Sequence, residues 1–362
     1  MGTDRVWQPA QEIRGLCREN APDVQLTETR TQTRAQSRTQ SRNAPQGPSP
    51  FRVEAEALPS EKFSDPQLTA KGERRASVPL KTLETLWFNT GTLCNLACAT
   101  CYIESSPTND ALIYIGAEDV SRFLDEAQNM GTREIGFTGG EPFMNPHFLA
   151  MLDDTLARGL EALVLSNAMK PMRRHEAALL ELRERYGDRL TIRVSLDHHT
   201  QAGHEGERGP RSWEPGLAGL KWLSENGFSI AVAGRLLPGE GMGDAREGYA
   251  RLFAAENIRV DAHDPMRLVL FPEMDETKDI AEITTDCWGI LGKSPADIMC
   301  ATSRMVVHRK GEPAPRVATC TLIPYDKGFD MGETLAEASS EVALNHPHCA
   351  RFCVLGGASC SA

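Results

Sequence analysis

From about Leu83 the chain alternates between two hydrophobic periods. Six short runs rich in β-branched and aromatic residues, LETLWFN, EIGFTG, ALVLSN, TIRVSLD, SIAVAG and MRLVLF, are separated by segments whose apolar residues recur every three or four positions. Val120, Phe123, Leu124, Ala127 and Met130 form one such stripe, and similar stripes fall near 146–158, 174–186, 214–226 and 244–256. Strands alternating with helices predict parallel pairing through right-handed crossovers. Polar and glycine-rich residues gather at the C-terminal ends of the strands. That placement favours an α/β fold in the form of a partial, TIM-like (β/α)6 barrel with its site at that mouth, over an open doubly wound sheet.

On either side the rhythm fails. Residues 25–50 are rich in Thr, Arg, Gln, Ser and Pro, and Arg30, Arg34, Arg38 and Arg42 recur at every fourth position with no apolar face beside them. This predicts a disordered arm, with a basic tether for an anionic partner as the alternative. After residue 287 come cysteines, prolines and short β-like runs such as RMVVHR, which predict a separate small domain held by metal. The expected division is an N-terminal arm and linker over 1–82, a barrel over 83–286 and a cysteine-rich domain over 287–362.

Composition narrows the classes of function. A chain that is 40% hydrophobic and 25% charged, without an apolar tract long enough to span a bilayer, is expected to be globular and free of membrane spans. The opening segment, MGTDRVWQPAQEIRGLCREN, lacks the apolar stretch and cleavage site of a secretory signal, so a cytoplasmic location with reduced thiols is expected. A net charge of -11 argues against a nucleic-acid partner, which calls for concentrated Lys and Arg. Ten cysteines are many for such a protein, and in a reducing compartment clustered cysteines hold metal more often than they form disulfides. Six lie between Cys287 and Cys360, three are Cys94, Cys98 and Cys101, and Cys17 stands alone.

The first strand is followed directly by Cys94-Asn-Leu-Ala-Cys98-Ala-Thr-Cys101, a C-x3-C-x2-C loop. A four-iron cube held by three cysteines leaves one iron open to a ligand that is not protein. Zinc would want a fourth ligand nearby. The second strand ends in Gly139-Gly140-Glu141-Pro142, the third in Ser166-Asn167, the fourth in Ser195-Leu196-Asp197 and the fifth in Arg235, and His204-Glu205-x-x-Arg208-Gly209 comes after the fourth.

These elements together resemble the radical S-adenosylmethionine superfamily. The resemblance implies that Cys94, Cys98 and Cys101 bind a reactive [4Fe-4S] cluster with an open iron site. Gly139, Gly140, Glu141 and Pro142 would receive the methionine ammonium, and Ser166, Asn167, Ser195, Asp197 and Arg235 would meet ribose and methionine carboxylate. Leu268 to Leu270 would supply an apolar rest for adenine. The chain departs from the family at Thr100, where an aromatic residue is usual before the third cysteine; its aromatic, Tyr102, comes one position after it. His198 and His199 stand where glycine is usual, and with His204 they are candidates for binding substrate or moving protons near neutral pH.

Cys300 and Cys320 flank the hairpin-like MVVHRKGEPAPRVAT, and Cys349, Cys353 and Cys360 follow. This resembles the twitch or SPASM extension and implies one auxiliary [4Fe-4S] cluster on Cys300, Cys320, Cys349 and Cys353, with Cys360 competing for the last place and a four-cysteine zinc site as the alternative. Cys287 is read as a buried thiol. The implied activity is reductive cleavage of S-adenosylmethionine to a 5′-deoxyadenosyl radical that abstracts hydrogen from a peptide side chain or a small metabolite, with an electron donor of flavodoxin or ferredoxin type. A non-catalytic, cluster-carrying electron-transfer protein is the alternative, although it has no need of a methionine pocket.

Overall fold

The fold is given by a computed structural model that describes residues 57–272 and 275–357. Six parallel strands, β1 (Thr85–Asn89), β2 (Glu134–Thr138), β3 (Glu161–Ser166), β4 (Leu190–Ser195), β5 (Ser229–Arg235) and β6 (Leu268–Phe271), pair in the order of the chain. Between them run α1 (Ala117–Asn129), α2 (Phe148–Ala157), α3 (Glu176–Tyr186), α4 (Gln201–Arg208), α5 (Trp213–Glu225) and α6 (Met242–Ala255). Strands in unbroken order put every crossover helix on one face, because the crossovers share a hand, and leave the other face as the inside of a partial barrel. A doubly wound sheet requires the order to reverse, and here it does not.

Alternation within each strand sorts the residues between the two faces. Leu86 and Phe88, Ile135 and Phe137, Ala162 and Val164, Ile192 and Val194, and Ile230 and Val232 join the helices in one core. Phe88 stacks on Phe137 at 5.7 Å between centroids, and Phe148 of α2 meets Phe137 edge-on at 5.4 Å. Each such ring contributes about 1.5–3 kcal/mol by burial, so this face fixes the register that aligns the strand ends. Trp87 and Leu163, on the opposite face, pack instead with residues from the C-terminal segment.

That segment extends the barrel's own sheet. Strand β7 (Ser303–Val307) pairs in parallel with β1, and β8 (Arg316–Ala318) adds antiparallel to β7. Residues 57–82, part of the stretch whose composition predicts arm and linker, are packed against it: Ser77–Val78 pairs antiparallel with Val342–Ala343. The Arg75 guanidinium, fully buried, meets the Glu282 carboxylate at 2.6 Å and also donates to the carbonyls of Asp65 and Leu68. Glu282 in turn accepts the N–H groups of Phe63 and Ala70, both at 2.8 Å. Burial raises the cost of its charge, and these donors more than offset it, holding the carboxyl below its ordinary range. The expected arm over 25–50, together with Cys17 and Cys360, lies outside the described residues. Among the described residues no helix is long and apolar enough to cross a membrane.

Removing one member of a buried ion pair leaves the other charge uncompensated, at a cost of about 3–5 kcal/mol. Arg75→Ala is therefore expected to lower the stability read by urea denaturation by about that amount; a loss below 1 kcal/mol would mean that this strap carries no weight.

Candidate functional site

The C-terminal ends of the strands open into a cavity. Its walls include Cys94, Cys98 and Cys101, with Gly139, Gly140, Ser166, Asn167, Ser195, Asp197 and Arg235. Strand pairing in register brings these residues together, since each lies on a strand end or in the loop that leaves it.

The cysteine loop lies directly on the glycine pair. Gly140 donates its N–H to the Gly91 carbonyl at 2.8 Å, and Glu141 donates to the Leu93 carbonyl at 3.2 Å. A Cβ on Gly140 would stand 2.2 Å from the Leu93 carbonyl oxygen, and Gly139 has φ +142°, so glycine is required at both positions for this approach. Downstream, the Cys94 N–H bonds the Ser106 carbonyl at 3.0 Å and the Ala99 N–H bonds the Glu207 carbonyl at 2.8 Å. Thr100, in the position where an aromatic is usual, donates its hydroxyl to the Glu207 carboxylate, and Arg235 donates to the Thr100 carbonyl at 3.1 Å. Tyr102 stands in the cavity wall.

Glu141 and Pro142 lie behind the wall and do not line it. The Glu141 carboxylate, 1% exposed, accepts from the Ser166 hydroxyl and the Asn167 N–H, both at 2.9 Å, and from the Phe143 N–H at 3.3 Å. Burial pushes its pKa up to about 7 against the pull of these donors. Its geometry is that of a brace joining the ends of β2 and β3.

Asp197 and Arg208 form the charged centre. Arg208 Nε and Nη2 reach the two Asp197 oxygens at 2.8 and 3.2 Å, and Arg235 Nε lies 3.7 Å from Oδ1. Burial works against the Asp197 charge, but the two guanidinium groups more than offset it and hold the carboxyl below its usual range. Arg208 is likewise held above its usual range despite burial, by Asp197 and by the Cys98 and Cys94 thiols. Those thiols need a partner to ionise: burial pushes Cys94 up to about 12 and raises Cys98.

The three histidines singled out by sequence do not line this cavity. His204 is 1% exposed; its Nδ1 accepts the Asp197 N–H at 3.2 Å, and Trp213 covers it edge-on. His198 Nδ1 accepts the Thr200 N–H at 3.1 Å, so Nε2 carries the proton and faces Glu240 Oε1 at 3.2 Å. His199 stacks edge-on against Tyr249. These groups fasten the loops after β4 and β5. The apolar wall supplied by β6 is Phe271; Leu268 and Leu270 belong to the core.

A second cavity gathers Cys300, Cys320, Cys349 and Cys353 with Thr319, Leu322 and His348. Cys287 is buried elsewhere, its Sγ 3.5 Å from the Thr284 hydroxyl. Among the described residues, groups of three His, Cys, Asp or Glu ligand atoms within 4.8 Å of one another are His198, His199 and Glu240, and Glu276, His346 and His348; neither contains a cysteine. Leu322 lines both cavities, and Phe352, between Cys349 and Cys353, closes the first. Sequence reasoning missed Leu322, Phe352, Phe271 and Glu207; adjacency to cysteines was the only signal for the first two.

Residues 88–252 match the family model of the Radical SAM superfamily. The antilisterial bacteriocin subtilosin biosynthesis protein AlbA of Bacillus subtilis (strain 168) is 30% identical over 167 residues, which are 46% of this chain and 35% of AlbA. The chain thus spans about a third of that relative's length. Among solved structures, Streptococcus suis SuiB bound to S-adenosylmethionine has a TM-score of 0.52 and 14% identity over 70% of this chain and 63% of SuiB. The anSMEcpe structure with bound AdoMet has a TM-score of 0.50 and 14% identity, over 70% and 79%. Both are likenesses of fold.

Burial holds the His204 pKa down to about 4, against 6.5 for the free side chain. A depressed folded pKa means that stability is fully present above about pH 6.5 and is lost as the pH falls toward 4, by an amount on the order of 3 kcal/mol. His204→Gln, which keeps an acceptor for the Asp197 N–H, is expected to flatten the stability profile over that window, and parallel profiles for the two proteins would contradict the assignment.

Proposed function

Because residues 88–252 form a radical SAM superfamily domain, we propose that this chain is an enzyme that cleaves S-adenosylmethionine reductively and oxidises or modifies a peptide side chain. The observation that carries the reading is the first cavity, where, among the described residues, three thiols and no fourth cysteine share walls with Gly139, Gly140, Ser166, Asn167, Ser195, Asp197 and Arg235. When bound, a [4Fe-4S] cluster with one open iron and S-adenosylmethionine supply one-electron cleavage to a 5′-deoxyadenosyl radical, which abstracts hydrogen from substrate.

The chain's own residues hold, orient and enclose. Cys94, Cys98 and Cys101 would hold the cluster and, as three thiolates, would leave one iron for S-adenosylmethionine. The peptide groups of Gly139 and Gly140 face the ammonium, and Ser166 and Asn167, fixed by Glu141, face the ribose. Arg235 Nε is buried at the wall without a hydrogen-bond partner, a donor suited to a carboxylate. Leu165, Phe271, Leu322 and Phe352 form an apolar wall that excludes water from the reacting carbon. Cys300, Cys320, Cys349 and Cys353 hold an auxiliary [4Fe-4S] cluster, and a flavodoxin or ferredoxin type of protein donates the electron. A peptide substrate is supported by AlbA, a bacteriocin biosynthesis protein, and by SuiB, which has been solved with its precursor peptide SuiA.

Anaerobically reconstituted protein, reduced and supplied with S-adenosylmethionine, is expected to release 5′-deoxyadenosine. The Cys94/Cys98/Cys101→Ala variant is expected to release none and to hold about half the iron. An iron-replete, reduced wild-type protein that forms no product would favour a cluster-carrying protein over an enzyme.

A further inference from the structure

Near the second cavity the Arg304 guanidinium is buried with hydrogen bonds but no counter-charge, and the Thr319 hydroxyl is buried with no hydrogen-bond partner. Arg304 of β7 is 1% exposed, and its guanidinium donates only to backbone carbonyls: Cys300 at 2.5 Å, Ser303 at 2.8 Å, Ala338 at 2.9 Å and Ser340 at 3.0 Å. No ion pair compensates it among the described residues, although a buried cation without a counter-charge is strongly disfavoured. Thr319, the residue before Cys320, is 4% exposed and lines the cavity, and its hydroxyl is buried with no hydrogen-bond partner. A hydroxyl always has a proton to donate, and the cavity around it is otherwise thiols, apolar side chains and His348.

An anionic group presenting sulfur would satisfy both. Four thiolates around an iron–sulfur cube carry net negative charge and offer sulfur acceptors. Resting on the reading of this cavity as an auxiliary cluster site, we propose that Arg304 and Thr319 set the reduction potential of that cluster. The guanidinium acts through its field and the hydroxyl through an O–H···S hydrogen bond. Reduction adds negative charge to the cube, so a nearby cation and a hydrogen-bond donor both stabilise the reduced form and raise the potential. Lys293 adds a second cation, its ammonium donating to the carbonyls of Cys353 and Val354. The tuned group lies one side chain, Leu322, from the reaction cavity.

The test uses the full chain carrying Cys94/Cys98/Cys101→Ala, so that only the auxiliary cluster gives a signal, with iron and sulfide measured before an anaerobic redox titration followed by electron paramagnetic resonance. Thr319→Val is expected to lower the reduction equilibrium about tenfold, which is about 59 mV for one electron, while Thr319→Ser stays at the parent value. Arg304→Gln is expected to shift the potential the same way and Arg304→Lys to restore it; if the Arg304 variants fail to fold, the Thr319 pair decides. Equal midpoints for parent and Thr319→Val at full iron content would overturn the inference, as would an equal fall in Thr319→Ser. A parent protein without iron would overturn the cluster reading itself, and the iron assay tells that failure apart.

Discussion

The buried contact between Asp197 and Arg208 is the joint on which the first cavity depends. Asp197 lies two residues past the fourth barrel strand, Arg208 ends the helix that follows, and Arg235 ends the fifth strand and reaches toward the same carboxylate. Neighbours carry the joint to the cysteine loop: Glu207, beside Arg208, accepts from Ala99 and Thr100, and Arg235 donates to the Thr100 carbonyl. Two cations share one carboxylate, which leaves net positive charge facing thiols that burial alone would keep protonated.

The glycine pair settles how close the loop comes, and the sheet settles what closes over it. Since β7 continues the barrel sheet beyond β1, the C-terminal cysteines are held rigidly beside the mouth instead of on a tethered module. Leu322 lines both cavities and Phe352 closes the first, so the extension forms part of the wall of the first cavity.

Much of this was legible in the chain. The six strands and five of the helices between them followed from period alone, while α4 did not, and the cysteine loop, the glycine pair and the strand-end polar residues meet at the C-terminal ends of the strands. The histidines did not, because spacing places a residue in a loop without giving its direction: His204 turns under Trp213 to satisfy the Asp197 N–H, a need invisible before the backbone is known. Phe271, Leu322 and Phe352 read as ordinary core residues, since an apolar wall and a core share one composition. The packing of 57–82 rests on Arg75 meeting Glu282 across 207 residues, a separation that local pattern does not reach.

The central claim is that the cysteine loop holds a cluster with one corner free for S-adenosylmethionine, beside a second, fully ligated cluster. The most direct measurement is the electron paramagnetic resonance spectrum of the reduced, iron-replete full chain before and after adding S-adenosylmethionine. The account predicts two cluster signals, of which one changes on addition and the other does not. Two signals that both ignore S-adenosylmethionine, or a single cluster in place of two, would contradict it.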